Sequence, residues 1–336
     1  MLLVVHPHFH HRHTGVTTHT AAIIPALQPH AEVKGIGRLL PDALPRSVLS
    51  EVWRRSRHEP VVWHAHRNNE LLLGLLLKLF RPKLKVVFTR HGSYPPSAFT
   101  RLIARRADAL ITLNAQNAGW MRAVSTVVAH GVDLARFKPP EDSRAAAWAR
   151  LGLGGQLGIG VVGRIRPNKG QQDFVEAVGP LLAQSPQWRA VLVGRADRAW
   201  LDTLNATAGG ALLLPGEQTQ IVPWYQGLSV LVNPSHGESF GLTLIEGMAA
   251  GCCVVSTRLF HTPGLIEHGR TGFLYEPRDV NGLREILKML MANPNRAIDV
   301  GLAAAEEARS RFGIEREASA IAQIYERVSH GAQDVS

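Results

Sequence analysis

Cysteine is nearly absent from this chain. Its 336 residues hold two, Cys252 and Cys253, adjacent in sequence, where a normal disulfide between neighbours is geometrically implausible. No CxxC pair and no Cys/His zinc spacing exists, so a reducing, cytosolic setting is the expected one. Long apolar runs are missing too. The leucine-rich run at residues 71–77 stops at Lys78, against the roughly 20 residues a membrane span requires. The opening MLLVVHPHFHHRHTG lacks a basic start, a long apolar stretch and a small-residue cleavage site, and does not read as a secretory signal. Neither an Asp-x-Asp sequence nor a Walker A loop occurs, and no helix-turn-helix, aromatic RNA-binding strand or zinc finger is visible.

What is present fits a soluble globular protein. Apolar residues make up 45% and charged residues 19%, which excludes wholesale disorder. At roughly 150 residues per domain the length suggests two domains. Charge separates them. Residues 1–140 carry 19 Lys and Arg against 7 Asp and Glu, and residues 141–336 carry 18 against 20. The first half also holds 12 of the 16 histidines. A basic half attracts an anionic partner: nucleic acid, an anionic membrane or an acidic substrate.

Short apolar runs alternate with amphipathic stretches along the whole chain. Strands are expected at 2–6, 61–64, 85–89, 109–112 and 126–129, and again at 157–162, 189–193, 211–214, 230–233, 253–256 and 272–275. Runs of this kind suit parallel strands buried on both faces. The rhythm implies an α/β fold of two doubly wound, Rossmann-like domains, with ligands beyond the carboxyl ends of the strands and a cleft between facing domains. The expected division is 1–140, a linker-like FKPPEDS…LGLGG stretch, 155–312, and a C-terminal helix at 313–336 that packs back on the first domain. The tail's apolar stripe at Ile314, Ala318, Ile321, Ile324 and Val328 reads as a packing face. A hinge is expected near 137–155.

Two segments carry chemistry. In SHGESFGLTLIEGMAAGCCVVS, residues 235–256, Glu238 lies in a Gly-flanked turn after a strand. Glu246 is placed about two turns into the helix that follows. That helix opens near Phe240–Leu242, so its amides and positive dipole end suit a phosphate. In VVGRIRPNKGQQDFVEAV, residues 161–178, Arg164 and Lys169 flank a Pro-Asn turn at a strand's end. The guanidinium fork and the compact ammonium suit a diphosphate. Gly158, Gly160 and Gly163 fit G-x-G-x-x-G, but they lie within the strand, where the dinucleotide fingerprint does not function.

These two motifs, in this order, resemble the family-4 glycosyltransferases of GT-B fold. The His130-Gly131-Val132-Asp133 turn, the Val193-Gly194 strand end and Leu214-Pro215-Gly216 extend the resemblance over nearly the whole chain, with His130 standing where Asn is usual. The resemblance implies that Arg164 and Lys169 bind and stabilise the leaving diphosphate, that Glu246 holds the ribose and that Glu238 contacts the transferred sugar. Gly163, Ser239, Phe240, Gly241 and Leu242 complete the donor loops. Gly15, in Thr14-Gly15-Val16-Thr17, lies in the first domain's glycine loop, and His91 matches a histidine facing the reacting sugar. Retention of anomeric configuration without a metal on the diphosphate, and without any cofactor, is implied as well.

The opening segment, with Arg12, Gly15, Val16, Thr17 and Pro25, resembles bacterial lipopolysaccharide core mannosyltransferases. That implies GDP-mannose as donor and an anionic Kdo-lipid A acceptor at the inner face of the cytoplasmic membrane. Arg12, Thr14, His64, His66, Arg67 and Arg90 are the acceptor contacts expected from the basic domain, with Arg101 a further candidate. Leu71–Leu79 with Arg54, Arg55, Arg57, Lys78, Arg81, Lys83, Lys85, Arg105 and Arg106 would form a surface for anionic lipid. The histidines at 6, 8, 10, 11, 13 and 19 read as a cleft loop and not as a metal site, since no cysteine or carboxylate lies near them in sequence. The alternatives are a UDP-sugar-dependent glucosyl- or galactosyltransferase of envelope glycan synthesis, a sugar-nucleotide epimerase, an inactive carbohydrate-binding homologue and a basic nucleic-acid- or glycan-binding protein.

Overall fold

The computed structural model describes residues 1–196, 198–208 and 211–330. It divides into two compact units, residues 1–131 with 314–336, and residues 132–313. The tail residues 331–336 lie outside the described ones.

Unit 1 is built on a parallel sheet of β1 (Leu3–His8), β2 (Glu32–Gly37), β3 (Val61–Ala65), β4 (Leu84–Arg90), β5 (Ala109–Thr112) and β6 (Thr126–Val127), in the order β2-β1-β3-β4-β5-β6. Strand periodicity sends alternate residues to opposite faces. Val4, Val62, Val87 and Ile111 meet Ile23, Ile24 and Leu27 of the helix Gly15–Leu27 on one face. Leu3, Val5, Trp63, Val86 and Phe88 meet Leu71 of the helix Asn68–Phe80 on the other. The helix Ile314–His330 packs into the first of these cores through Ile314, Ala318, Ile321, Ile324 and Tyr325.

Unit 2 repeats the plan with β7 (Leu157–Val162), β8 (Trp188–Val193), β9 (Leu212–Gly216), β10 (Leu228–Asn233), β11 (Cys253–Thr257) and β12 (Phe273–Tyr275), ordered β12-β11-β10-β7-β8-β9 and wholly parallel. Ile159, Val161, Leu192, Val230, Val232 and Val255 share one core with Phe174, Val178, Leu283 and Leu287.

Two expectations need correction. The break between units lies at Gly131/Val132, before the stretch read as a linker. Residues 137–155 are part of unit 2: Phe137 is buried edge-on to Tyr225, and Trp148 is buried and donates from Nε1 to the Gly154 carbonyl at 2.9 Å. The Pro/Gly composition there serves turns. β2 was not foreseen, because EVKGIG has neither clean alternation nor a solid apolar run. Gly158 and Gly160 are packing glycines, since a Cβ would collide with Trp148 at the first and Val191 at the second.

Candidate functional site

In unit 2 the two chemical motifs meet at the carboxyl ends of β7 and β10. Lys169 Nζ and Glu238 Oε2 form an ion pair, both partly buried. The two loops are joined at three further points. His236 N–H donates to the Asn168 carbonyl at 3.2 Å. Its Nε2 lies 2.8 Å from Asp173 Oδ2. Gly170, at φ +67°, comes so close to the Pro234 carbonyl that a Cβ would collide with it. Arg164 is exposed. Gly163, at φ +132°, leaves its surroundings open, the nearest atom to a built Cβ being 4.0 Å away.

The helix Leu242–Ala249 starts from Gly241, whose φ of +91° lies in the left-handed region. That conformation suits glycine and leaves the first amides of the helix without intrahelical partners. Glu246 is the fifth residue of this helix, just past its first turn and closer to the N-terminus than the sequence suggested. Tyr225 donates its hydroxyl to Glu246 Oε2 at 2.6 Å. Burial pushes the Glu246 carboxyl up to about 7, opposed by the Tyr225 hydrogen bond and the Arg136 charge. His261 stands beside Gly241. Its Nε2 is buried without a hydrogen-bond partner, and burial lowers its pKa against the opposing charge of Glu238. Sequence reasoning missed Asp173, His236, Tyr225 and His261: the first two lie inside the two motifs, but only their partners across the loops show their role, and the other two lie outside any motif.

In unit 1 the expected acceptor residues separate into surface and interior. Arg12 is exposed. Thr14 caps the helix Gly15–Leu27, its backbone N–H donating to Thr17 Oγ1 at 3.1 Å, and its hydroxyl accepts from Arg67 Nη2 at 2.8 Å. A Cβ on Gly15 would meet nothing within 4 Å, so packing does not demand a glycine there. Arg90 donates from Nη2 to the Tyr94 carbonyl at 3.3 Å, and burial lowers its pKa.

His64 and His66 are interior residues, at 0% and 4% exposure, with every ring nitrogen engaged. They are not placed to touch an acceptor. His91 is similarly committed: Nε2 is 3.0 Å from His66 Nδ1, and Nδ1 is 3.2 Å from His130 Nε2. The resemblance implied a ring facing the sugar, but no unengaged nitrogen remains on it. Glu70, Glu317 and Tyr325, all buried, hold this interior together and were not singled out from the sequence. Glu70 accepts from the His66 and Phe9 amides at 2.9 and 3.4 Å.

The histidines near the start also divide. His6, His8 and His19 are buried, whereas His11 and His13 are exposed. The basic lipid surface is part apolar: Leu72, Leu76, Leu79 and Phe80 are exposed on one helix, with Phe99 and Leu102 on the helix Ala98–Ala104. Several of its cations have internal partners. Lys78 pairs with Asp108 at 2.7 Å, Arg55 with Glu32 and Glu59 at 2.5 Å, and the Arg81 guanidinium lies 3.5 Å over the Trp53 ring.

Residues 156–293 match the family described as "Glycosyl transferases group 1". The chain is 36% identical over 336 residues to the lipopolysaccharide core biosynthesis mannosyltransferase LpcC of Rhizobium leguminosarum bv. viciae, covering 96% of this chain and 95% of that protein. It is 35% identical to the corresponding mannosyltransferase LpsB of Rhizobium meliloti, covering 96% and 97%. Among solved structures, Anabaena HepE in complex with UDP and glucose superposes with a TM-score of 0.84 at 18% identity, over 97% of this chain and all of that one. Sucrose-phosphate synthase of Thermosynechococcus elongatus gives 0.81 at 19%, over 98% and 99%. At these identities the structures speak for the fold alone, that of the GT-B glycosyltransferases.

Proposed function

This chain belongs to the glycosyl transferases group 1 family, and from that membership we propose that it transfers mannose from GDP-mannose to an anionic Kdo-lipid A type core acceptor. Transfer retains the anomeric configuration and uses no metal at the diphosphate. The observation that carries the reading is the junction of Lys169 and Glu238 between two loops locked together by Gly170 and His236, beside the exposed Arg164 and the helix start at Gly241. The identity along nearly the full length of two lipopolysaccharide core mannosyltransferases supports the choice of sugar and acceptor.

Cleavage of a sugar–diphosphate bond builds negative charge on the departing phosphate. Arg164, Lys169 and the amides after Gly241 are preorganised to meet that charge, which is worth most when the donors do not move during reaction. Glu238 holds the Lys169 ammonium until the donor's phosphate takes its place, and then contacts the sugar. Glu246 accepts from the ribose hydroxyls, with Tyr225 fixing its orientation. The acceptor oxygen attacks the anomeric carbon from the face the phosphate leaves. The C–O bond to phosphate breaks as the new one forms, and the acceptor's proton passes to the phosphate oxygen. His91 acts as a positioning residue, because its nitrogens are engaged inside unit 1.

Gly15, which the fold does not require, gives a ligand room to approach the start of its helix. Arg12, Arg67 and Arg90 meet the acidic acceptor. The exposed Leu72, Leu76 and Leu79 face, with Phe99, Leu102 and the exposed Arg105 and Arg106, supports peripheral binding to an anionic bilayer at about 1 kcal/mol per basic residue near the surface. Among the described residues no helix is long and apolar enough to cross a membrane.

Incubation of the pure protein with radiolabelled GDP-mannose and Kdo-lipid A tests the reading. Labelled lipid should form at a rate indifferent to added Mg²⁺ or Mn²⁺. Product from UDP-glucose or UDP-galactose instead would replace the donor, and no product from any of the three would overturn the assignment.

A further inference from the structure

Six of the histidines in the interior of unit 1 gather in clusters that sugar transfer leaves without a direct role. His6, His64, His66 and His130 are 0–4% exposed, as is His19 at 3%, and His91 is half-buried. They converge from distant parts of the sequence into two groups. One nitrogen each of His6, His64 and His66 lie within 4.8 Å of one another, and so do one each of His19, His91 and His130.

The two groups differ in how their nitrogens are satisfied. Around His6, His64 and His66 every ring nitrogen has a partner. His6 Nδ1 meets His66 Nε2 at 2.9 Å and His6 Nε2 meets the Tyr325 hydroxyl at 3.2 Å. His64 Nδ1 meets the same hydroxyl at 2.6 Å, and its Nε2 meets Thr89 Oγ1 at 2.7 Å. His66 Nδ1 meets His91 Nε2 at 3.0 Å. That group is a complete hydrogen-bonded network.

The second group is incomplete. Glu317 Oε1 lies 2.8 Å from His19 Nε2 and 2.9 Å from His130 Nδ1, while its Oε2 accepts from the Gly131 amide at 2.7 Å. A carboxylate oxygen set between two ring nitrogens, with its partner oxygen on a backbone amide, accepts from all three. The two rings must therefore donate from those nitrogens, which leaves lone pairs on His19 Nδ1 and His130 Nε2. His19 Nδ1 is buried and has no hydrogen-bond partner. A buried lone pair without a partner is costly. His130 Nε2 and His91 Nδ1 stand 3.2 Å apart, close to the roughly 3.3 Å that two nitrogens on one zinc require when each Zn–N bond is about 2.0–2.1 Å.

We propose that His19, His91 and His130 bind a divalent transition-metal ion, zinc being the natural fit to three neutral imidazoles, with Glu317 orienting two of the rings from behind. A ligating histidine that donates its other N–H to a carboxylate is a recurrent arrangement at such sites. The metal also gives the neighbouring network a single polarity. With its Nδ1 on the ion, His91 carries its proton on Nε2 and donates to His66. The donation then runs on from His66 to His6, from His6 to Tyr325, from Tyr325 to His64 and from His64 to Thr89, with every nitrogen used once. The site is built wholly from residues of unit 1 and rests on neither the donor nor the acceptor assignment.

The test uses the full chain purified without a histidine tag from zinc-supplemented medium. Elemental analysis after gel filtration should find zinc near equimolar with protein. His19→Asn and Glu317→Gln should each lose it, and the doubly substituted His11→Ala, His13→Ala chain, altered only at exposed rings, should keep it. Because a substitution in the interior can itself prevent folding, the unaltered chain is also stripped with dipicolinate and titrated with cobalt(II). Visible absorption of a nitrogen-ligated ion and a higher melting midpoint are expected, along with ¹⁵N shifts placing the His91 and His66 protons on Nε2. Protein that holds no zinc and shows neither absorption nor a shifted midpoint with cobalt overturns the proposal. So does zinc that follows His11 and His13.

Discussion

A carboxyl half out of water titrates late, and Glu246 has an ordinary value of 4.5 that burial moves to about 7. The folded state therefore holds this proton more tightly than the unfolded chain. Its contribution to stability is full below pH 4.5 and is lost as pH rises towards and through 7. Glu246→Gln should flatten that limb of the stability–pH curve in chemical denaturation, and an unchanged slope would refute the assignment. If the ribose takes the carboxylate, donor binding should tighten as pH rises to about 7, and the dependence should vanish in the same variant. For Lys169→Ala we expect a fall in kcat of about 10²- to 10³-fold, the range for losing one preorganised charge-stabilising group, with an unaltered melting midpoint. A loss that appears only in KM would mean that Lys169 binds the donor without favouring its departure. Arg164, Lys169, Glu238 and Glu246 were legible in the sequence because they lie in short motifs with fixed spacing. Glu317 was not. It meets His19 across 298 residues, and separation of that order leaves no local pattern.

At the scale of elements, the parallel strands were readable because burial on both faces makes them continuous apolar runs. β2 and the helix Leu49–Arg55 were not, since both are short and mixed in character. The loop between β7 and the helix Gln171–Leu182 depends on Gly170. Gly170→Ala imposes a left-handed conformation on a residue with a Cβ, at about 1–3 kcal/mol, and drives that Cβ into the Pro234 carbonyl. We expect lowered stability together with weaker donor binding, because the loops carrying Lys169 and Glu238 part there. A variant with normal affinity for GDP-mannose would disprove the coupling. On the helix Asn68–Phe80, replacing Leu72, Leu76 and Leu79 by Ser should abolish sedimentation with anionic vesicles and leave the melting midpoint nearly unchanged, as all three are exposed. Retained vesicle binding would move the lipid surface elsewhere.

For the molecule as a whole, alternation of strands and helices made the doubled α/β plan legible, and the motif order made the family legible. The point of division was not, because turn-rich composition at 137–155 looks like a linker whether or not its apolar residues are buried. Unit 1 is discontinuous, completed by the helix 314–330, whereas unit 2 is one continuous stretch. A fragment of residues 132–313 should unfold cooperatively by itself, and a chain cut after residue 313 should lose protection from hydrogen exchange in β1 and β3 while unit 2 keeps its own. Equal protection in both units after the cut would contradict this division.

That discontinuity sets an order of birth. During synthesis residues 1–131 emerge first, yet Tyr325, Glu317 and the apolar face that roofs their sheet leave the ribosome only after all of unit 2 has been made. The later unit is thus free to fold first, while the earlier one waits, its histidines and half of its core uncovered, for the helix that closes it. A chaperone that recognises exposed apolar strands would find its longest-lived target among residues 1–131.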